Sequence, residues 1–424
     1  MSSSLSIAVV SPFLDKRHGT ERCVAEEVER LAHEYGCEIH IYSQRVEDIE
    51  GVQMANGEWR AANGGSQKAN QNSGGGRIVW HKVPDIPGPH LTRYVFWFFA
   101  NQVMRWWDRN VRGIHYDLVY SPGINCLDAD VISVHIVFAE FYRQVRDDLN
   151  LWHNPIKSWA RLLHRRLYYR LIMALEQRIY ARKDLPLVTV SRKVVADLMR
   201  FYRRDGPFFV VYYGIDSRRF NPKVRSDLRL KAREELKLPD EAFALLLIGN
   251  DWKNKGLHCL LEAVGRLAVP NIWVLVVGRD QPTPFYPLIQ RYGLSERVRF
   301  LPPRGDVEFY YAASDVYVGP SLEDAFALPP AEAMACGLPV IVSSHAGVSE
   351  IITDGVDGLI LNDPRDPDEL ARLIQRLYMD EEFRKRLGEA AAQTARQYTW
   401  ERNAQQMHEI FTQVVKRKGL SAKG

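Results

Sequence analysis

At 424 residues, the chain is too long for one ordinary hydrophobic core, and its length predicts two or three domains. A hydrophobic fraction of 46% and a charged fraction of 25% are typical of a soluble globular protein, and a formal net charge of +4 excludes a strongly basic chain. Five scattered cysteines without a Cys-x-x-Cys pair argue against a disulfide framework and against a zinc site.

The N-terminal residues predict a buried strand and not a targeting segment. Residues 1–6 contain no basic side chain, and the apolar residues 7–10 are too few for the core of a signal peptide. No apolar run approaches the roughly 20 residues that a membrane-spanning helix needs. We therefore expect a cytoplasmic protein.

The first half of the chain alternates short apolar strands with longer helical patterns. A helical pattern over 21–35, ended by Gly36, separates the predicted strands 7–10 and 38–43. Residues 56–76, rich in Gly, Asn, Ser and Gln, predict a flexible surface insertion. Further strands are predicted at 78–83, 118–121, 131–135 and 187–190.

A second alternating series begins near residue 245. Its predicted strands are 245–248, 273–277, 298–301, 316–319 and 339–343, and its predicted helices are 256–267, 286–292, 307–313, 330–335 and 367–377. Two such series predict an α/β protein with two Rossmann-like, doubly wound domains and a cleft between them. We expect the first domain at 1–212, the second at 213–398, and a C-terminal helix at 399–424 that returns to the first domain.

The most informative segment is residues 319–341, GPSLEDAFALPPAEAMACGLPVI. A loop carrying Asp324 leads into a helix start that is marked by two prolines. Backbone amides just before a helix suit phosphate oxygens. The residues that would offer them are Ala325, Phe326, Ala327 and Leu328. Asp324 and Glu332 could then accept hydrogen bonds from a sugar and a ribose, or, by spacing alone, simply complement the helix dipole.

The same segment resembles the signature of the retaining, family-4 type glycosyltransferases of GT-B fold. That group includes lipopolysaccharide core glucosyltransferases and phosphatidylinositol mannosyltransferases, and its usual form is PSxxEGFGLxxxEAMAxGxPV. The matching residues are Pro320, Ser321, Phe326, Leu328, Glu332, Ala333, Met334, Ala335, Gly337, Pro339 and Val340. The sequence departs at Asp324, where Glu is usual, and at Ala325 and Ala327, where Gly is usual. The two alanines narrow the space beside the donor sugar.

Three more segments resemble this family in register. They are HAGVSEIITDGVDGL at 345–359, YGIDSRRFNP at 213–222 and GNDWKNKG at 249–256. Lys255 aligns with the phosphate-binding lysine of the family, and Asn250 replaces its arginine. Lys253 could supply the missing charge or be a solvated loop lysine, and we expect all three side chains at the donor. The residues of the segments GNDW and VVGRDQP resemble those of the lipopolysaccharide glucosyltransferases more than those of the mannosyltransferases.

Two segments of the first domain complete the resemblance. HGTE at 18–21 stands where the family has Gly-Gly-x-Glu. We expect Gly19 to take a positive φ and, with Thr20, to let backbone amides approach the donor diphosphate. His135 ends an apolar strand, where the resemblance implies a histidine that contacts the donor sugar and the reaction centre. A purely structural strand-end histidine is the alternative.

No His/Cys cluster with the spacing of a metal site is present, so neither metal nor cofactor is expected. Lys255 and the helix-start amides would stabilise the leaving diphosphate instead. The resemblance implies front-face attack, in which a donor phosphate oxygen helps to remove the acceptor proton. The expected catalytic residues are His135, Asp324 and Glu332, and we expect Lys255 and Glu332 to face a polar cleft.

Basic and aromatic residues are concentrated in residues 94–107 and 151–183. The second stretch carries eight Lys or Arg residues against the lone Glu176, with Trp and Leu between them at helical spacing. Such a composition predicts a helix on an anionic membrane surface and a protein peripherally associated with the inner face of the membrane. The alternative is a core-facing helix with a solvated basic face. Nucleic-acid binding is not expected, because no recognition motif accompanies the charge.

The sequence thus predicts a retaining, metal-independent hexosyltransferase in cell-envelope polysaccharide synthesis. The pathway that we expect is lipopolysaccharide biosynthesis. The enzyme would move a glucose-like hexose from a nucleotide-sugar donor, expected to be UDP-linked, to a lipid-linked or glycan acceptor. The alternative is a catalytically silent protein of the same fold that binds sugar nucleotides or envelope lipids. A nicotinamide or flavin enzyme is disfavoured, because neither series has Gly-x-Gly-x-x-Gly after a strand.

Overall fold

A computed structural model of the protein describes residues 4–16, 19–55, 76–146, 149 and 159–421. The predicted insertion at 56–76, apart from its last residue, lies outside the described residues, as do Trp152 and Lys157 of the predicted membrane-surface stretch. The chain divides into two compact units. Unit 1 comprises Met1–Tyr212 and Trp400–Gly424, and unit 2 comprises Tyr213–Thr399.

Unit 1 is built from short buried strands that alternate with amphipathic helices. Its strands are β1 (Ser6–Val10), β2 (Phe13–Leu14), β3 (Glu38–Ser43), β4 (Arg45–Val46), β5 (Val52–Met54), β6 (Ile78–Lys82), β7 (Leu118–Pro122), β8 (Val131–Val134), β9 (Leu187–Thr189) and β10 (Phe208–Val210). Its helices before unit 2 are α1 (Gly19–His33), α2 (His90–Asn110), α3 (Phe138–Val145), α4 (Trp159–Tyr180) and α5 (Arg192–Tyr202).

The main sheet of unit 1 is parallel and runs in the order β10-β9-β8-β7-β1-β3-β6-β5. Its register pairs Ile7 with Ile39 on one side and with Leu118 on the other. The chain first adds β3 and β6 on one side of β1, and it later adds β7, β8, β9 and β10 on the other side. The order of the strands therefore reverses between β1 and β7. Ligands of such sheets bind beyond the carboxyl ends of the strands at this switch point.

Unit 2 is also built from strands that alternate with helices and form a parallel sheet. Its strands are β11 (Phe243–Ile248), β12 (Ile272–Val277), β13 (Val298–Leu301), β14 (Val316–Gly319), β15 (Val340–Ser343) and β16 (Leu359–Leu361). Its helices are α6 (Pro222–Glu235), α7 (Leu257–Leu267), α8 (Tyr286–Arg291), α9 (Glu308–Ala313), α10 (Leu328–Ala335), α11 (Pro367–Met379) and α12 (Glu381–Ala395). The parallel order β13-β12-β11-β14-β15-β16 is the Rossmann order 3-2-1-4-5-6, with its switch point between β11 and β14.

The last helix, α13 (Trp400–Ser421), belongs to unit 1. It packs on α1 and the sheet, where Phe411 is fully buried and its ring centroid lies 5.1 Å from that of Tyr120. An ion pair between Arg30 and Glu401, with Nη2 and Oε1 3.0 Å apart, fixes its first turn.

The predicted fold class, two α/β domains with parallel sheets, is confirmed. Strands 38–43, 298–301 and 316–319 have the bounds that the sequence predicted. The sequence did not predict β5, β10 or β16, which are three-residue strands and too short to show a periodicity. It also missed α6, whose mostly polar sequence buries little apolar surface, although Asn221 caps it through a 2.9 Å bond from the Val224 amide.

Candidate functional site

The switch point of unit 2 brings together the loops that follow β11 and β14. These are the predicted segments 249–256 and 320–327. The Leu322 amide donates to the Asn254 carbonyl at 2.7 Å, and the Asn254 side-chain amide donates to the Glu323 carbonyl at 2.8 Å. The two segments therefore form one continuous surface.

Two glycines permit this close approach. Gly256 precedes α7 with φ +77°, and a Cβ on it would lie 1.9 Å from the Pro320 carbonyl oxygen. Gly249 has φ +147°, and a Cβ there would lie 2.8 Å from Cε of Lys255. A larger residue at either position would displace the second loop or the lysine side chain.

Lys255 and Asp324 form an ion pair on this surface. Nζ of Lys255 donates to Oδ2 of Asp324, and the two side chains are 20% and 17% exposed. A third loop holds the Asp324 backbone, because its amide donates to the His345 carbonyl at 3.2 Å and its carbonyl accepts from the Gly347 amide at 3.0 Å. A cation and a carboxylate thus lie side by side at the switch point, each charge neutralised by the other.

The residues between Asp324 and α10 combine burial with an unusual backbone. Phe326 is buried, and its ring meets that of Tyr213 edge-on with centroids 5.2 Å apart. Ala325 is half-buried, and Leu328 is buried. Ala327 has φ +73° and ψ 101°, a conformation that residues with a Cβ rarely adopt. Among the described residues, no hydrogen bond is donated by the amides of Ala327 and Leu328, so two N–H groups at the helix start suit an anion.

Glu332 lies deeper than expected. Its side chain is buried within α10, and its Oε2 accepts a hydrogen bond of 2.8 Å from the hydroxyl of Tyr311. Burial and the neighbouring Glu332 raise the pKa of Tyr311 well above its usual value, so the hydroxyl stays a donor. The structure therefore places Glu332 in a buried position, and the predicted contact with a polar cleft stays a prediction.

Asn250 and Lys253 are both exposed, and the structure adds a basic residue beside them. Oδ1 of Asn250 accepts from the Arg279 amide at 3.0 Å, which joins the loop after β11 to the loop after β12. The exposed Arg279 therefore adds a second cation, besides Lys253, near the ends of these strands. No role was predicted for Arg279 from the segment VVGRDQP; its place two residues after the buried strand β12 was the available signal.

Unit 1 has a cavity of about 340 Å³ at its own switch point, beyond the carboxyl ends of β1, β7 and β8. Most of its lining is apolar, including Phe13, Tyr94, Trp97, Phe138, Tyr168 and Ile172. Its polar lining includes Thr20 and His135, both predicted site residues. The volume lies near the lower end of ligand pockets, about 300–1,000 Å³.

Gly19 does not have the conformation that the sequence suggested. It is the first residue of α1 and is absent from the residues with positive φ, and a Cβ on it would meet nothing within 4 Å. The prediction of a positive φ at Gly19 is wrong, because the chain enters the helix directly there. Its neighbour His18 lies outside the described residues.

His135 follows β8 directly and is buried. Its Nε2 lies 2.8 Å from Oγ of Ser133, and the two side chains point to the same side of the strand because they are two residues apart. Burial lowers the pKa of His135 to about 4, so the imidazole is neutral at neutral pH.

Glu176, the lone acid of its basic stretch, has a structural role that the sequence did not reveal. It is fully buried, and its carboxylate accepts from the amides of Phe138 at 3.0 Å and Ala139 at 3.3 Å, the first residues of α3. It also accepts from the hydroxyl of Tyr202. Burial raises the pKa of Glu176 to about 7. The residue thus stabilises the helix start that forms one wall of the cavity.

Comparison with known proteins identifies part of unit 2. Residues 229–394 match the family model of Glycosyl transferases group 1. All the matched residues lie within unit 2. Similar curated proteins include the D-inositol 3-phosphate glycosyltransferases of Salinispora tropica, 30% identical over 257 residues (57% of this chain and 53% of that protein), and of Xylanimonas cellulosilytica, 32% identical over 253 residues (57% and 60%). The chain therefore spans about half to three-fifths of the length of these relatives.

Solved structures show that the fold is GT-B. WaaG, a glycosyltransferase involved in lipopolysaccharide biosynthesis, superposes with a TM-score of 0.71 at 19% identity, over 96% of this chain and 99% of WaaG. Anabaena Alr3699/HepE, solved in complex with UDP-glucose, superposes with a TM-score of 0.65 at 18% identity, over 96% of this chain and 100% of that protein. The predicted GT-B fold is confirmed.

Most of the predicted site residues lie within the matched range 229–394, while Gly19, Thr20 and His135 lie in unit 1. In the part of the chain that the structure describes, no three His, Cys, Asp or Glu side chains are grouped as potential metal ligands. Over the same residues, no helix has both the length and the apolar composition of a membrane span.

Proposed function

We propose that the protein is a retaining glycosyltransferase that moves a glucose-like hexose from a UDP-linked donor to a lipid-linked acceptor. The pairing of Lys255 with Asp324 at the switch point of unit 2 carries this proposal. A nucleotide sugar has the complementary groups, a diphosphate for the cation and hydroxyls for the carboxylate. The structure of Anabaena Alr3699/HepE with UDP-glucose, a protein of the same fold, supports a donor of this class.

Donor binding would exchange the partners of the ion pair. The diphosphate replaces Asp324 beside Lys255, and Asp324 then accepts hydrogen bonds from the sugar. The amides of Ala327 and Leu328 bind phosphate oxygens, and Arg279 adds charge. Because these groups are fixed before the reaction, they stabilise the charge on the leaving diphosphate without reorganisation, which supports a reaction without a metal ion.

Glu332 would bind the donor from its buried position. A carboxylate offers about four lone-pair sites, and the Tyr311 hydroxyl occupies one of them. A carboxylate is an acceptor of the kind that the diol of a ribose requires. In this role Tyr311 orients the carboxylate, and the buried helix α10 keeps it from moving away.

Retention is proposed to follow from attack on the face that the diphosphate leaves. The acceptor oxygen forms the new bond to the anomeric carbon as the bond to the phosphate oxygen breaks. That phosphate oxygen takes the acceptor proton, so charge and atoms balance. His135 is proposed to contact the reacting sugars from the unit 1 cavity.

The unit 1 cavity favours an acceptor with an apolar portion. Its aromatic walls offer stacking and apolar contact. Arg93, a cation of the lining, is already paired with Asp85, with Nη2 and Oδ2 2.5 Å apart. Apolar side chains make up most of the lining beside this pair. This supports a lipid-linked acceptor in cell-envelope synthesis.

Two helices of unit 1 support peripheral association with an anionic membrane. α2 exposes Phe99, Val103 and Trp106 at 61%, 64% and 58%, and their spacing places them on one face. α4 exposes Leu163 and Leu167 among its arginines. Exposed apolar side chains next to basic ones are the combination that an interfacial helix requires.

A panel of UDP-, GDP- and ADP-sugars in a thermal-shift assay tests the donor. A ligand at 100 times its Kd stabilises the folded state by about 2.7 kcal/mol, so UDP-glucose should raise the Tm clearly. Equal Tm values with all nucleotides would contradict the proposal. A donor-hydrolysis assay separates the enzyme from a silent binding protein, which would bind UDP-glucose without releasing UDP.

A further inference from the structure

The loop that follows β7, residues 123–128, forms part of the wall of the unit 1 cavity. Gly123, Ile124 and Asn125 line the cavity, as does Pro122, the last residue of β7. We refer to these six residues as the switch-point loop, because the loop begins beside the switch point between β1 and β7. The loop has no regular secondary structure, so its carbonyl groups need hydrogen-bond donors other than those of a strand ladder.

One face of α2 supplies such donors. The hydroxyl of Tyr94 donates to the Ile124 carbonyl at 2.6 Å. The side-chain amide of Asn101, which is fully buried, donates to the Asn125 carbonyl at 3.1 Å. Two successive carbonyl groups of the switch-point loop are therefore bonded to α2.

Arg105 holds the far end of the loop. It is 1% exposed, and its guanidinium donates to the two carboxylate oxygens of Asp128 at 2.6 and 2.7 Å. A bidentate pair of this kind fixes direction as well as distance. Nη2 of Arg105 also donates to Oδ1 of Asn101 at 3.3 Å, so these two side chains of α2 belong to one network.

The loop is also bonded to the sheet across the switch point. The side-chain amide of Asn125 donates to the carbonyl of Val10, the last residue of β1, at 3.0 Å, and to the Pro122 carbonyl at 2.7 Å. The backbone amide of Asn125 donates to Oγ of Ser121 at 3.3 Å. Since its carbonyl accepts from Asn101, the position of Asn125 depends on α2 and on the sheet together.

We propose that Asn101 and Arg105 are positioning residues that hold the switch-point loop as a wall of the cavity, so that acceptor binding depends on them and donor binding does not. Neither is among the described residues that line the cavity, so both would act through the loop. The inference rests on the proposed use of this cavity for a lipid-linked acceptor. The proposed contacts to the diphosphate and the ribose lie in unit 2, which has a sheet of its own.

Hydrogen exchange of the full chain, followed by mass spectrometry, measures how firmly the loop is held. Asn101→Leu replaces the amide by an apolar group with the same number of heavy atoms and leaves the Asn125 carbonyl without this donor. The amides of residues 123–128 should then exchange about tenfold faster than in the wild type, the effect of one lost hydrogen bond, and those of unit 2 should not change. Unchanged exchange in the loop would overturn the positioning role.

Asn110→Leu is the matched control. The side-chain amide of Asn110, like that of Asn101, donates to the carbonyl four residues earlier in α2. Over the described residues, Asn110 has no hydrogen bond to the switch-point loop. The control should exchange like the wild type, and faster exchange of the loop in this variant as well would count against a specific role of Asn101.

Asp128→Asn tests the loop from its more exposed end if Asn101→Leu does not fold. The side chain of Asp128 is 45% exposed, and an amide in its place keeps one accepting oxygen and loses the ion pair with Arg105. Exchange of the loop amides should again be faster than in the wild type. Wild-type exchange in this variant would overturn the role of Arg105.

Ligand binding separates positioning from general damage to the fold. Octyl glucoside, a sugar with one alkyl chain, is the acceptor probe, used at concentrations at which it is monomeric. Its calorimetric Kd should rise about tenfold in Asn101→Leu, while UDP-glucose should raise the Tm as much as in the wild type. Loss of both responses, or an unchanged Kd beside a faster-exchanging loop, would overturn the role in acceptor binding. A wild type that binds no octyl glucoside would contradict the proposed acceptor instead, and the exchange result would still decide how the loop is held.

Discussion

Ala327→Gly should stabilise unit 2, although glycine usually destabilises a folded chain. Ala327 has φ +73° and ψ 101°, and a side chain in such a sparsely populated region costs about 1–3 kcal/mol. Glycine avoids this strain but loses about 0.5–1 kcal/mol through its greater freedom in the unfolded chain. The difference predicts a net stabilisation of about 1 kcal/mol. For a unit of this size, that corresponds to a rise in Tm of about 2–4 °C.

Ala325→Gly is the matched control. Ala325 lies in the same loop two residues earlier, and it is not among the residues with positive φ. Glycine there relieves no strain and should lower stability by about 0.4–1 kcal/mol. Urea unfolding and calorimetry of the two variants and the wild type measure the difference. Equal destabilisation by both substitutions would show that the backbone at Ala327 is not strained, and the explanation would fail.

The remaining predictions concern activity and binding. Lys255→Ala and Glu332→Ala should each lower kcat/KM at least about 100-fold while both variants still unfold cooperatively; wild-type turnover in either would remove that residue from the site. Transfer should proceed at the same rate in EDTA, and a strict requirement for magnesium or manganese would contradict the proposed metal-free stabilisation of the diphosphate. Reversing the charge at Arg161, Arg165 and Arg166 should reduce flotation with anionic vesicles while leaving the UDP-glucose thermal shift intact, because each basic residue near such a surface contributes about 1 kcal/mol. Flotation equal to the wild type would identify α4 as an ordinary packed helix.

The departures from the family pattern gain a physical meaning in the structure. Ala327, where glycine is usual, keeps a glycine-like backbone and carries the strain of its Cβ. Asn250, where arginine is usual, bonds the Arg279 amide and so brings another guanidinium to the same strand ends. The sequence of the segment 249–256 showed only that position 250 lacks the positive charge of the usual arginine.

The sequence alone determined the βα alternation and both glycine-bearing loops of unit 2, and it indicated Lys255 and Asp324 as separate candidate site residues. These features are local, because strand and helix patterns repeat over two to four residues and a turn is specified by its own glycines and prolines. The approximate bounds of these strands, helices and loops could therefore be predicted without knowing which strands are neighbours in the sheet.

The tertiary structure decided the contacts between distant residues. Lys255 and Asp324 are 69 residues apart, and Asn125 and Val10 are 115 apart, so their meeting depends on the order of parallel strands and on the side to which each crossover helix packs. The burial of Glu332, the anchoring of α3 by Glu176 and the bonds between α2 and the switch-point loop follow from the same packing. A buried polar side chain must find its hydrogen-bond partners among whatever residues the fold brings near it, and no local pattern in the sequence specifies them.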